Sequence, residues 1–217
     1  MPSREEFLYN SGIEWQRHDK TGKIQNVREN MGNSIPQNNT PKLDVEHVTE
    51  QLSENDLNDL CDATDAAIEA GGGFGWVDLP ARDIMESYWR GVITAPTRQL
   101  FIARLDDTIC GTTQIVLPPK NNQAQGHIVE LTTNFVAPWA RGYGLARNLL
   151  EAVEKHCIDE GYAVVNLDVR EHMESAINLY ESMGYEQFGL HPYSVRVDDQ
   201  TIRSRYYYKV INKDFFK

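Results

Sequence analysis

Cysteine is scarce in this chain: three residues in 217, Cys61, Cys110 and Cys157, at spacings that match neither paired nor metal-binding patterns. That excludes a disulfide scaffold and reads as free thiols in a reducing cytoplasm. No run of about 18 apolar residues occurs, so no membrane-spanning helix is expected. Residues 1–13 carry Arg4, Glu5 and Glu6 and no apolar stretch of the kind a secretory signal needs. Basic clusters are missing too. Lys and Arg number 21 against 32 Asp and Glu, a formal charge of −11, whereas a protein that neutralises phosphates needs a basic face. Nucleic acid and membrane are therefore not expected partners, and the acidic balance serves solubility before it serves cationic partners.

What is present suits a single globular domain with extra length. Apolar residues make up 41% and aromatics 10%, enough for a real core. Residues 1–42 differ from the rest, being rich in Asn, Gln, Ser and charge without a sustained apolar period. They read as a mobile N-terminal extension, with a small hairpin over Ile13–Val27 and a true start at Met31 as open alternatives. From residue 43 to 217 the elements alternate. Leu43–Val48 is a short strand, and Ser53-Glu-Asn-Asp56 opens a helix in the manner of a capping box. The glycines from Gly71 stop that helix, and Pro80 suits the first turn of the next. A hairpin turns at Asp106-Asp107, a strand runs from Gly126 to Val136, and a helix begins near Tyr143. Ala163–Asp168 is a dense apolar strand, as a parallel strand buried on both faces should be. A further helix closes at Gly184 in a left-handed position, and two last strands flank Asp198-Asp199. The order β-α-α-β-β-β-α-β-α-β-β predicts an α/β fold with a mixed central sheet flanked by helices.

The sharpest local signal is Phe135-Val136-Ala-Pro-Trp-Ala-Arg141-Gly142-Tyr143-Gly144-Leu145-Ala146, where a strand gives way to a helix. Unpaired amides at a helix start, a positive dipole end and glycines that admit a close approach make an anion cradle. A dinucleotide fold would want a third glycine and a Walker loop a Gly-Lys-Ser/Thr, and both are absent. Taken alone, the stretch is equally a tight turn with no ligand.

Arg141-Gly-Tyr-Gly144-Leu-Ala146 resembles the Arg/Gln-x-x-Gly-x-Gly/Ala motif of the GCN5-related N-acetyltransferase (GNAT) superfamily. Ala176-Ile-Asn-Leu-Tyr180-Glu-Ser-Met-Gly184-Tyr185 is similar to that family's second signature, and Tyr206-Tyr-Tyr208-Lys209 to its usual final strand. Gly71–Pro80 and the strand around Glu130 also look like acetyltransferases of the tabtoxin-resistance type. The resemblance implies a GNAT fold whose parallel strands splay at the cofactor site. It implies acetyl-CoA as co-substrate, its pyrophosphate on the amides from Arg141 through Ala146 (Arg141, Gly142, Tyr143, Gly144, Leu145, Ala146) and its pantetheine arm along Phe135 and Val136. It also implies Tyr180 as donor to the leaving sulfur. The family's common Asn three residues before Ala176 is replaced by Met173.

An amine acceptor must lose a proton, and an ammonium pKa near 10.4 demands a base or a depressed pKa. Glu130 is the expected base, and Asp168 a substrate binder or alternate base; a solvated sheet face and a turn cap are their respective bland readings. No Ser-His or Cys-His nucleophile stands out, which fits direct attack in a ternary complex. His127 and His172 lack metal-ligand spacing, so no metal is expected. The chain is therefore expected to be a cytoplasmic N-acetyltransferase acting on a primary amine of a small molecule. A protein lysine or N-terminal amine is the alternative acceptor, and a non-catalytic acyl-CoA sensor the alternative class. Self-association through the last strands is common in such proteins and leaves a homodimer open.

Overall fold

The computed structural model describes residues 40–72 and 75–217. The hairpin expected over Ile13–Val27, the start at Met31 and the tip of the glycine run at Gly73 and Phe74 lie outside the described residues, as does the expected extension up to residue 39. From Pro41 onward the chain forms one compact unit. Its elements are β1 (Leu43–Val48), α1 (Glu54–Glu69), α2 (Arg82–Thr94), β2 (Arg98–Leu105), β3 (Thr108–Val116), β4 (Ile128–Val136), α3 (Leu145–Asp159), β5 (Val164–Arg170), α4 (Glu174–Ser182), β6 (Glu186–Val197) and β7 (Gln200–Val210). That is the order expected from the apolar pattern.

Local chemistry accounts for the boundaries. Ser53 caps α1 by accepting from the Asp56 amide at 3.1 Å, and its hydroxyl donates to the Asp56 carboxylate at 3.0 Å. Both Asp-Asp pairs adopt positive φ, 49° and 68° at Asp106-Asp107 and 48° and 60° at Asp198-Asp199. Two positive φ values in a two-residue loop match the right-handed twist of the flanking strands, so each pair closes a tight hairpin.

The seven strands form one sheet in the order β1-β2-β3-β4-β5-β7-β6, antiparallel except for β4 beside β5. One core packs α3 and α4 on the sheet through Leu149, Leu150, Val153, Ile177 and Tyr180; a second packs α1 and α2 on the other face through Leu57, Leu60, Met85 and Trp89. The three cysteines are buried in these cores, with thiols pushed by burial up to about 11 at Cys61 and Cys110 and about 12 at Cys157. Among the described residues no helix is long and apolar enough to cross a membrane.

One irregularity positions everything that follows. Between Gln114↔Thr132 and Thr112↔Phe135, one residue of β3 faces two of β4, Thr133 and Asn134. Thr133 has φ +51°, a left-handed conformation rarely adopted by a β-branched residue. The extra residue inverts the alternation. Val129 and Leu131 face the α3/α4 core, yet Phe135 joins the α1/α2 core and Val136 returns to the first. Gly111 lets the strands close beyond this bulge, because a Cβ there would stand 2.8 Å from the Phe135 carbonyl oxygen and 3.2 Å from Val136 Cα. Gly111→Ala is therefore expected to lose about 1–3 kcal/mol in urea unfolding; a loss below about 0.5 kcal/mol would show that the strands have room to part.

Candidate functional site

β4 and β5 stop pairing partway along. Their parallel register runs from Ile128↔Val164 to Leu131↔Leu167 and ends there, although β4 continues to Val136 and β5 to Arg170. β4 stays with β3 beyond the bulge while β5 stays with β7 through Arg170↔Ser204. A seam opens at the carboxyl ends of two parallel strands, where ligands of α/β sheets generally sit.

At the mouth of the seam lies the turn from β4 into α3. The helix starts at Leu145, two residues after the expected Tyr143, because Gly144 at φ +83° is its cap and cannot be helical. Gly142 has φ +90°, and among the described residues no heavy atom lies within 4 Å of a Cβ built on either glycine. These glycines are therefore needed for their backbone conformation and face open space. Among the described residues, the amides of Gly142, Tyr143, Gly144, Leu145 and Ala146 have no backbone carbonyl partner. Helices α1, α2 and α4 each carry an acidic residue in their first turn, whereas α3 has none and no side-chain cap. The positive end of the α3 dipole is thus left without a negative group from its own first turn. Arg141 Nε donates to the Val136 carbonyl at 3.3 Å, and the Arg147 guanidinium donates to Ser182 Oγ at 2.8 Å, so both cations are held beside the turn.

Behind the seam, Tyr180 on α4 is 4% exposed and accepts a 2.9 Å hydrogen bond from Asn134 Nδ2. Burial pushes its phenol up to about 12, with the Asn134 donor pulling the other way and the Asp168 charge adding to the rise. Folded and unfolded states both hold the proton below pH 10, so this contribution to stability is whole there. It is lost as pH rises from about 10 toward 12, where the unfolded chain gives up its proton first. Met173 caps α4 with no side-chain hydrogen bond.

The two carboxylates sit on the face of the sheet opposite Tyr180's helix. Glu130 is exposed, one residue before the last parallel pair, and accepts from Asn166 Nδ2 at 2.9 Å. It lines a cavity of about 190 Å³ with Val116, Pro118, Ile128 and Asn166. Asp168 is exposed and is the first residue of β5 past the parallel pairing. It does not end the strand as expected, since pairing with β7 carries β5 on to Arg170. Tyr206 and Tyr208 lie directly across from Asp168 and Asn166, and Phe188 of β6 meets both rings at centroid separations of 6.2 and 6.0 Å. Helices α1 and α2 pack over β2 to β4, and among the described residues neither helix covers this acid-aromatic shelf beside them.

Sequence reasoning named the turn, Tyr180 and the carboxylates, but missed Asn134, Asn166 and Phe188. Thr132-Thr133-Asn134, three consecutive polar residues that break the alternation of β4, was the available signal for the first of these.

The model of the acetyltransferase (GNAT) family matches residues 64–185, more than half of the chain. An uncharacterised N-acetyltransferase of Azospirillum brasilense is 59% identical over 120 residues, 55% of this chain and 71% of its own length. The solved N-acetyltransferase of Staphylococcus aureus Mu50 superposes with a TM-score of 0.66 at 16% identity, over 78% of this chain and 99% of the other. A Salmonella typhimurium protein solved with its cofactor acetyl-CoA gives 0.64 at 12% identity, over 79% and 95%.

The geometry of the turn generates a direct test. Gly144→Glu puts a carboxylate and a strained left-handed residue among the open amides. Coenzyme A affinity, read by titration calorimetry, is expected to fall about 100-fold or more with the fold retained; an unchanged affinity would remove the turn from the site.

Proposed function

We propose that this chain, which belongs to the acetyltransferase (GNAT) family and is an acetyl-CoA-dependent N-acyltransferase, moves the acetyl group directly to a primary amine of a small molecule. Residues 43–217 are assigned to the acetyltransferase domain and residues 1–42 to an N-terminal extension. The observation that carries the reading is the seam itself: β4 leaves β5 beside a run of open amides, with a phenol on the α4 face of the sheet and two carboxylates on the opposite face.

The residues present fit acetyl-CoA. The amides of Gly142 through Ala146, with Arg141 and Arg147 beside them, suit a pyrophosphate, and Phe135 and Val136 lie where an extended pantetheine arm would run. When bound, the group supplies an activated thioester. The buried thiols of Cys61, Cys110 and Cys157 are held protonated far above neutral pH, which favours attack by the acceptor itself over an acyl-cysteine.

Glu130 is the proposed base. Asn166 fixes one of its oxygens and leaves the other to take the ammonium proton, directly or through a water. Asp168 holds the acceptor's positive charge or shares the base's role. The neighbouring rings of Phe188, Tyr206 and Tyr208 add a surface that favours a cation and an apolar body, which narrows the acceptor to a cationic amine. Tyr180 serves the leaving sulfur as a hydrogen-bond donor. With its phenol near 12 and a thiol near 8.5, full proton transfer would be uphill by about 5 kcal/mol.

A protein amine is the second reading, favoured by Phe188, Leu190 and Tyr193 standing 59%, 43% and 80% exposed on edge strand β6.

An amine panel with acetyl-CoA tests the proposal. Glu130→Gln and Tyr180→Phe are each expected to lower kcat about 100-fold while coenzyme A affinity stays within about threefold. Binding of coenzyme A without acetylation of any amine or protein would identify a sensor instead of an enzyme.

A further inference from the structure

We infer that Asn134, a residue outside both sequence motifs, is a positioning residue that keeps the Tyr180 hydroxyl proton directed at the departing sulfur. The inference rests on the role given to Tyr180 above.

A phenol has one proton to donate and an oxygen that also accepts. Asn134 Nδ2 donates to that oxygen at 2.9 Å, so the hydroxyl proton must point elsewhere. An acceptor at position 134 would capture the proton and leave none for the seam. The other groups around Tyr180 do not compete for it. The rings of Tyr185 and Tyr207 meet it edge-on or tilted, at centroid separations of 5.7 and 6.5 Å. Asp168 acts through its field. Among the described residues, the hydroxyl makes no hydrogen bond other than the one from Asn134.

The bulge explains how Asn134 comes to be there. Residues 130 and 132 of β4 lie on the sheet face away from α3 and α4, and in a regular strand 134 would join them. The extra residue at Thr133 turns 134 toward α4, under the Tyr180 hydroxyl. Strained β-branched residues of this kind persist where the surrounding structure holds them, often at functional sites. Asn134 also leaves its own Oδ1 buried without a partner among the described residues, a cost that a purely structural contact does not explain.

The test compares Asn134→Leu and Asn134→Asp, alone and combined with Tyr180→Phe. Leu removes the donor at similar volume. Asp keeps shape and polarity but, ionised, accepts the phenol proton. Asn134→Leu is expected to lower kcat about tenfold with the KM for acetyl-CoA and the calorimetric affinity for coenzyme A within about threefold. Asn134→Asp is expected to lose at least as much at pH 8. Neither is expected to reduce the residual activity of Tyr180→Phe by more than about twofold, because the two residues act as one unit. Should Asn134→Leu melt, Asn134→Asp carries the same comparison. Wild-type kcat in the Asn134 variants, a further tenfold loss in the Tyr180→Phe background, or a loss confined to KM and affinity would each overturn the inference. If those results come with an impaired Tyr180→Phe, the role of Tyr180 stands and only Asn134 is misassigned. A fully active Tyr180→Phe would sink both.

Discussion

The seam opens because two parallel strands stop sharing hydrogen bonds after four residue pairs. β4 must satisfy its backbone against β3 and β5 against β7, and the two partners diverge. The bulge at Thr133 lies where β4 has left β5 and continues on β3, and Gly111 supplies the space for the tight approach there. The same irregularity turns Phe135 into one core and Asn134 and Val136 toward the other. Strain in one threonine therefore sets the shape of the seam, the anchoring of its far wall and the neighbour of Tyr180.

Electrostatics follow from this geometry more than from net charge. A chain of formal charge −11 would repel a polyanion at long range, but screening confines that effect to roughly 8–10 Å at ordinary ionic strength. Close to the turn the relevant charges are the α3 dipole, the open amides and two arginines held by the Val136 carbonyl and Ser182. The acidic surplus appears on the opposite side of the seam. There Asp168 lies across from Tyr206, and Asn166, which donates to Glu130, lies across from Tyr208, a surface suited to a cation. The proposed donor and acceptor thus approach from surfaces of opposite character.

Much of the fold was legible because its signals are local. Ser53 and Asp56 announce α1, each Asp-Asp pair its hairpin, Gly184 its helix end, and the apolar run Ala163–Asp168 a buried strand. Gly142 and Gly144 were legible as glycines of a strand-to-helix turn that admits a close approach; their left-handed φ of 90° and 83° came from the structure. The boundaries misjudged by two residues have equally local reasons. Gly144 is a cap and so delays α3, and β7 extends β5 past Asp168. Asn134 was not legible. Reading its orientation requires knowing that β3 has one residue fewer than β4 in this stretch, which is a property of register between strands.

By itself the sequence determined the element order, the identity of the two motifs and the glycine turn, because helix caps, tight turns and apolar periods are written within a few residues of one another. Tertiary structure alone decided where β4 and β5 part, which face each β4 side chain takes beyond residue 132, and that Asn166 meets Glu130 and Asn134 meets Tyr180. Those contacts join positions 36 and 46 residues apart, and only the pairing of strands and the packing of α4 on the sheet bring them within hydrogen-bond distance.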